Sequence, residues 1–292
     1  MTTGLDDRLR AAIETVAGAA CDHDGADPLD EATRLALRHR DESEMAVWLA
    51  GDADAFALLV DGDLSLVTHP DARRRGLAAT LLDEVIAAAG TEPLTAWSHG
   101  DHPAAVRLGS AYGFARVREL WVMRLTSVSD LPPVEVPEGL VVRGYRDADA
   151  DEVVRINAAA FASHPEQGRM DRAQLAQRMD QDWFDPAGLL VAEDTAAPGR
   201  LLGFHWTKLP VGSQVGEVYV VGIDPAAQGR GLGRLLTLAG LHHLAGRGVI
   251  EVELYVEGDN HPAQRTYSGL GFTHPPADTH VQYRRDANSL HV

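Results

Sequence analysis

Residues 218–236 read Val-Tyr-Val-Val-Gly-Ile-Asp-Pro-Ala-Ala-Gln-Gly-Arg-Gly-Leu-Gly-Arg-Leu-Leu, an apolar run that turns through Gln228, Gly229, Arg230, Gly231, Leu232 and Gly233 into helical periodicity. The chemistry this spacing serves is the holding of a pyrophosphate. Glycines let the backbone turn tightly and approach a ligand, while the unpaired amides at a helix start offer donors and partial positive charge. Arg230 and Arg234 add full charge. A dinucleotide-binding fingerprint is the rival reading, and Glu251 and Glu253 do stand roughly 20 residues downstream, where that motif wants an acid. Its glycines run Gly-x-Gly-x-x-Gly, whereas these run Gly229-x-Gly231-x-Gly233, so the rival fails on spacing.

A second copy lies upstream, with Leu66, Val67 and Thr68 leading through His69-Pro70-Asp71-Ala72 into Arg73, Arg74, Arg75, Gly76, Leu77 and Ala78. Pro225 and Gly231 follow Pro70 and Gly76 at one offset of 155 residues (225 − 70 and 231 − 76). Asn260-His261-Pro262 and Gly271-Phe272 follow Asp101-His102-Pro103 and Gly113-Phe114 at 159 and 158. An offset of that size is one domain per copy, well beyond solenoid repeats.

The loop resembles the Gln/Arg-x-x-Gly-x-Gly/Ala segment of the GNAT acetyltransferases, where it holds the pyrophosphate of coenzyme A. The resemblance implies a mixed α/β (α+β) fold of two tandem GNAT domains, each a central mixed, splayed β-sheet flanked by helices. We place them at 1–126 and 139–292, with the proline-containing segment 127–138 as linker. In such a fold the pantetheine arm pairs with main-chain groups of the strand before the loop, here Val221, Gly222 and Ile223. Residues 228–234 would hold the pyrophosphate, and Asn260, His261, Pro262, Ala263, Gln264 and Arg265 would reach the far end of the cofactor. Asn260 also suits a helix N-cap and Arg265 a solvated charge. The first-copy counterparts are Leu66, Val67, Thr68, Arg73, Arg74, Arg75, Gly76, Leu77 and Ala78.

Transfer of acetyl from a thioester to an amine asks for a base, an oxyanion donor and an acid for the leaving thiolate. In GNAT enzymes with this pattern a carboxylate on the strand before the loop serves as base, and a tyrosine on the later helix donates to sulfur. Glu217 and Tyr267 occupy those places. Counting from the paired prolines, the first copy has Gly62 and Leu108 instead, and neither can titrate. Tyr112 lies near but reads as a residue packing at the helix end. The N-terminal domain is therefore expected to be catalytically inactive, while its three arginines favour retained binding of acetyl coenzyme A.

The tandem arrangement, the degenerate first site, and the runs 217–225 and 254–260 (Leu-Tyr-Val-Glu-Gly-Asp-Asn) further resemble the mycothiol synthase family of actinobacteria, over nearly the whole chain. That resemblance implies acetylation of the cysteinyl amine of Cys-glucosaminyl-inositol. It implies acceptor contacts from Glu31, Glu166, Lys208, Glu217 and Tyr255, converging on the cleft between the halves. By residue type alone, Glu31 and Glu166 read as solvated carboxylates, Lys208 as an edge-strand charge and Tyr255 as core. An acceptor of another kind (aminoglycoside, polyamine or protein N-terminus) and a non-catalytic acetyl coenzyme A sensor are the other readings the residues allow.

Stepping outward, these residues need elements to place them. The C-terminal half reads as an extended segment at 140–143, helices over 149–162 and 172–181 around a loop at 163–169, and strands at 189–193, 201–208 and 217–223. A helix from Leu232 to about Gly246, strand 249–256, helix 262–270 and a closing strand pair from Phe272 follow. The N-terminal half reads as helices 5–20 and 31–38, strands 45–49, 55–60 and 64–68, helix 77–89, strand 94–97, helix 103–112 and strands within 114–125. At 292 residues and 45% hydrophobic content there is material for two cores. A net charge of −17 disfavours nucleic acid as a partner and suits a cationic small-molecule amine. One cysteine excludes an intrachain disulfide framework, and no apolar run reaches the roughly 20 residues of a membrane span. A cytoplasmic monomer without a membrane partner is expected. The histidines give no metal-ligand spacing: His242 and His243 are adjacent on a helix and point apart, and His102 and His261 sit in paired helix-start turns, so no metal is expected.

Overall fold

Strand residues that alternate faces and are buried on both sides require helices above and below the sheet, and this is what the chain builds twice. The structure, a computed structural model, describes residues 7–40, 44–162 and 167–286. In chain order the first elements are α1 (Asp7–Asp24), α2 (Glu31–His39), β1 (Met45–Ala50), β2 (Ala55–Val60), β3 (Asp63–Thr68), α3 (Leu77–Ala89), β4 (Leu94–Ser98), α4 (Pro103–Ala111) and β5 (Ala115–Leu125). Then come β6 (Leu140–Gly144), α5 (Ala150–Ala160), α6 (Arg172–Met179), β7 (Leu189–Asp194), β8 (Leu201–Lys208) and β9 (Val215–Ile223). The chain closes with α7 (Leu232–Gly246), β10 (Glu251–Glu257), α8 (His261–Ser268) and β11 (Thr279–Arg285).

Among the described residues, those up to Trp121 together with those from Pro275 on form one compact unit, and those from Val122 to His274 the other. In the first unit the strand order is β1-β2-β3-β4-β11-β5. All neighbours are antiparallel except β3 and β4. Phe56, Leu58 and Val67 pack with Ile13 and Leu37 of α1 and α2. Ala55, Ala57 and Leu64 face Leu81, Leu82 and Val85 of α3. In the second unit the tail of β5 is followed by β10-β9-β8-β7-β6, with β9 and β10 parallel. Here α5 and α6 cover one face through Val153, Ile156 and Leu175. On the other face, Leu232 and Leu235 of α7 pack with Leu202 and Leu140.

Two strand readings need correction. The segment 114–125 is one continuous strand, because nothing between Ala115 and Leu125 supplies the Gly, Asn or Asp that a hairpin turn needs. The expected closing strand pair is also absent from the described residues: Thr273 makes a single bridge to Arg124, whereas β11 pairs with β4 and β5 in the first unit. Pro275 and Pro276 intervene, and two residues without N–H groups cannot continue a ladder. β11, from the second half of the sequence, thus lies between β4 and β5 in the first unit. Among the described residues no helix is long and apolar enough to cross a membrane.

Candidate active site

The parallel pair in the second unit opens partway along, the splay that the GNAT resemblance implies. Its register runs from Val215 opposite Glu251 to Val218 opposite Leu254 and ends there, while β9 continues to Ile223. Val221 and Ile223 are half-buried in this opened stretch; Gly222 between them is buried. A Cβ at Gly222 would stand 2.6 Å from the Phe204 ring, so side-chain packing explains this glycine. Next comes a short 3-10 turn, Pro225–Ala227, capped by Asp224, whose Oδ1 accepts from the Ala226 amide at 2.9 Å. Gly229 (φ 77°) and Gly231 (φ 74°) are left-handed, a conformation that favours glycine, and Gly231 caps α7. Leu235 N–H makes the first intrahelical bond to Gly231 O, so the amides of Leu232, Gly233 and Arg234 precede the helical ladder and face the loop. Gln228 follows the capped turn, Arg230 is exposed, and Arg234 donates to Gly269 O at 3.0 Å, which ties the loop to the end of α8.

A partly buried ion-pair network holds this loop, and sequence reasoning passed over it. Arg155 of α5 donates to Asp224 at 2.8 Å and to both oxygens of Glu152, and Glu152 accepts the Leu201 amide. The amide of Ala226, then the Arg155 guanidinium, hold the Asp224 carboxyl below the usual carboxylate range. The legible signal was the Asp-Pro pair, a turn initiator at the position where the first copy has His69-Pro70. His69 there caps the equivalent turn, with its Nδ1 accepting from Asp71 N.

Glu217 and Lys208 stand side by side on adjacent strands. They are register partners on β9 and β8, and Lys208 Nζ stands 3.7 Å from Glu217 Oε2 with both side chains 17% exposed. Tyr255, just past the last β10 residue paired with β9, is 43% exposed and not core. Glu31 opens α2, but its side chain lies outside the described residues, and Glu166 does so entirely. Tyr267 of α8 is half-buried, edge-on to Phe272, and burial pushes its phenol up to about 12. Asn260 caps α8 by accepting from Ala263 N, and Gln264 donates to the carbonyls of Glu257 and Gly258. Pro262 sits in the first turn of α8, while His261 contacts Gln264 and Arg265 is exposed.

In the first unit the parallel pair is shorter still, Asp63 opposite Thr95 and Leu64 opposite Ala96. Beyond it lies a cavity of about 810 Å³ whose lining includes Leu66, Thr68, Arg74, Gly76, Trp97 and Tyr112. Val67, Leu77, Ala78 and Leu108 also line it. Arg73 forms a two-pronged salt bridge with Asp24 of α1, and Arg75 donates to Asp71 O, so the charge at Arg73 is already matched. Gly62 sits in the turn before β3, and Tyr112 ends α4 with its hydroxyl on Ala79 O. His102 caps α4. No group of three or more His, Cys, Asp or Glu among the described residues could hold a metal ion.

With that geometry in place the comparisons are informative. The Acetyltransferase (GNAT) family model matches residues 152–272. Among solved structures, a GCN5-related N-acetyltransferase from Sphaerobacter thermophilus is similar at a TM-score of 0.72 and 25% identity, covering 97% of both chains. A tandem GNAT protein from the clavulanic acid biosynthesis pathway has a TM-score of 0.70 at 21% identity, covering 97% of this chain and 96% of that one, and shows the fold alone. The mycothiol acetyltransferase of Nocardioides sp. is 60% identical over 95% of this chain and 98% of its own length. That of Nocardia farcinica is 46% identical over 97% and 96%. The chain is an acetyltransferase of the GNAT fold and belongs to the mycothiol acetyltransferase family.

Proposed function

We propose that the chain transfers acetyl from acetyl coenzyme A to the cysteinyl amine of Cys-glucosaminyl-inositol, giving mycothiol and coenzyme A, with the chemistry in the C-terminal domain (139–292). The observation that carries the mechanism is the placing of Glu217, tied to Lys208, on the strand that opens into the helix-capping glycine loop. The name of the relatives, mycothiol acetyltransferase, supports this acceptor.

The amine nitrogen attacks the thioester carbonyl carbon; the C–N bond forms as the C–S bond breaks. Glu217 takes the proton that nitrogen loses, directly or through a water. Tyr267, protonated at neutral pH with its phenol at about 12, donates to the departing sulfur. A thiol titrates near ~8.5, so complete transfer from this phenol is uphill. Its main work is therefore a hydrogen bond to the developing thiolate, and solvent restores the proton balance. The amine itself titrates near ~8, so a carboxylate base needs little help. Val221, Gly222 and Ile223 would take the pantetheine arm, residues 228–234 the pyrophosphate, and Glu31, Glu166, Lys208, Glu217 and Tyr255 the acceptor.

The N-terminal domain (1–126), joined by 127–138, holds acetyl coenzyme A without turning it over in this reading. Support comes from the cavity beside Leu66–Thr68 and from the absence of a titratable side chain at Gly62 and Leu108. The protein acts as a cytoplasmic monomer. Mass spectrometry after incubation with acetyl coenzyme A and Cys-glucosaminyl-inositol tests the whole: one amide-linked acetyl on the acceptor is expected. Protein that binds coenzyme A yet yields no such product would turn the search to other amines.

A further inference from the structure

The chain has 25 arginines and a single lysine, Lys208. Its ammonium does not point to open solvent. It stands 5.3 Å from the centroid of the Trp183 ring and 5.1 Å from that of Tyr219, over both of two rings that meet edge-on, with the Glu217 carboxylate at 3.7 Å. Three separate elements build this clasp: the segment after α6 brings Trp183, β8 brings Lys208, and β9 brings both Tyr219 and Glu217.

The register shows what the clasp requires. Trp206 is opposite Val220 and Thr207 is opposite Val218, so Tyr219 is the extra residue of a β-bulge. Regular pairing would have put Lys208 opposite Val218; the bulge puts it opposite Glu217 and aims the Tyr219 ring at its ammonium. Tyr219 is itself held by Arg178 of α6, which reaches its hydroxyl at 3.3 Å, and by edge contacts with Trp183 and Trp206. Trp183 also packs against Trp206, and Phe184 against the same ring. A lysine ammonium on a flexible stem carries substantial rotamer entropy, and two aromatic rings fix it without neutralising it. Arginine in that space would offer a wide planar fork instead of a compact charge.

We propose that Trp183 is a positioning residue of the acetyl-transfer site, holding the Lys208 ammonium against Glu217 through the clasp it forms with the bulged Tyr219. The inference rests on the reading of Glu217 as base, and it extends the site to a residue on the segment after α6. Its consequence is that Trp183 acts through Lys208.

Lysine labelled with ¹³C at Cε gives one side-chain resonance in this chain, so the clasp can be observed directly in the intact protein. Ring currents of the two neighbouring aromatic side chains perturb that methylene. Trp183→Leu is expected to move the resonance toward the free-lysine position, and Trp183→Phe to move it much less. An unmoved resonance in Trp183→Leu would overturn the clasp whatever the enzyme's substrate. Kinetics with acetyl coenzyme A and Cys-glucosaminyl-inositol then test its use. Trp183→Leu should lower kcat roughly tenfold with the KM for acetyl coenzyme A unchanged, the scale of a desolvated cation–aromatic contact. Trp183→Phe should recover at least half of that loss on a logarithmic scale. In a Lys208→Met background, Trp183→Leu should cost nothing further. Equal fold losses in both backgrounds would show a merely structural tryptophan and refute the proposal. A wild type with no turnover of this acceptor would refute the proposed function while leaving the resonance test standing.

Discussion

Replacing Asp224 separates the two jobs one carboxylate does under the glycine loop. Its Oδ1 caps the turn at Ala226 N and its Oδ2 accepts Arg155, with Arg200 3.7 Å away and only 7% of the Asp224 side chain exposed. Asparagine keeps a cap acceptor and loses the charge; alanine loses both. Losing the cap costs about 1 kcal/mol. The charge-assisted bond would be worth about 1.5–3 kcal/mol if fully buried. Arg155 is 39% exposed and retains Glu152, so about 1 kcal/mol survives that discount. Asp224→Asn should therefore cost about 1 kcal/mol and Asp224→Ala about 2 kcal/mol in urea unfolding. If the same ordering energy is paid on binding acetyl coenzyme A, its KM should rise about 5-fold and about 30-fold respectively. Because the native pKa of Asp224 is depressed, its charge contributes above the unfolded value near ~3.9 and is lost as pH falls through the lower native pKa. The gap between wild type and Asp224→Asn should accordingly close in strong acid. The reasoning is refuted if Asp224→Ala unfolds at the wild-type urea concentration, or if both variants leave the KM unchanged.

Four further outcomes follow. Glu217→Gln should lower the rate most at low pH, where free amine is scarce; pH profiles matching wild type would remove Glu217 as base. Tyr267→Phe should lower kcat by about 10²-fold, and with the wild-type phenol at about 12 no loss of activity between pH 7 and 10 should trace to its ionisation, which comparison of the two profiles checks. His205 is fully buried between β8 and α7, where desolvation, and secondarily the charge of His243, press its pKa down to about 4, against the hydrogen bond to Leu236 O. Its neutral form is favoured by folding, so stability should be complete above the unfolded pKa near ~6.5 and fall by up to about 3 kcal/mol as pH drops from 6.5 to 4; a His205→Met variant with an equally steep decline would contradict this. Gly76→Trp, at the left-handed cap of α3, should leave acetyl transfer largely intact; loss of all turnover in a folded variant would show that the first domain takes part in chemistry.

The chain itself determined most of the elements and where the helix-capping glycine loop lies. Glycine at 229 and 231 is a local requirement of left-handed backbone, the Asn260-His261-Pro262 turn caps its helix through nearest neighbours, and continuous apolar runs such as that of β2 declare which strands are covered on both faces. Duplication was legible because each copy repeats these local rules at nearly one spacing. Tertiary structure decided what depends on partners distant in sequence. Nothing local says that β11 pairs with β4 and β5, since strand pairing is a contest among edges and only the proline pair before β11 hints that a hairpin is barred. Nor does any window of sequence place Arg155 under Asp224, 69 residues away, or Trp183 beside Lys208. The Lys208–Glu217 register turns on a single-residue bulge at Tyr219, and because strand periodicity is two, one inserted residue reassigns every partner beyond it.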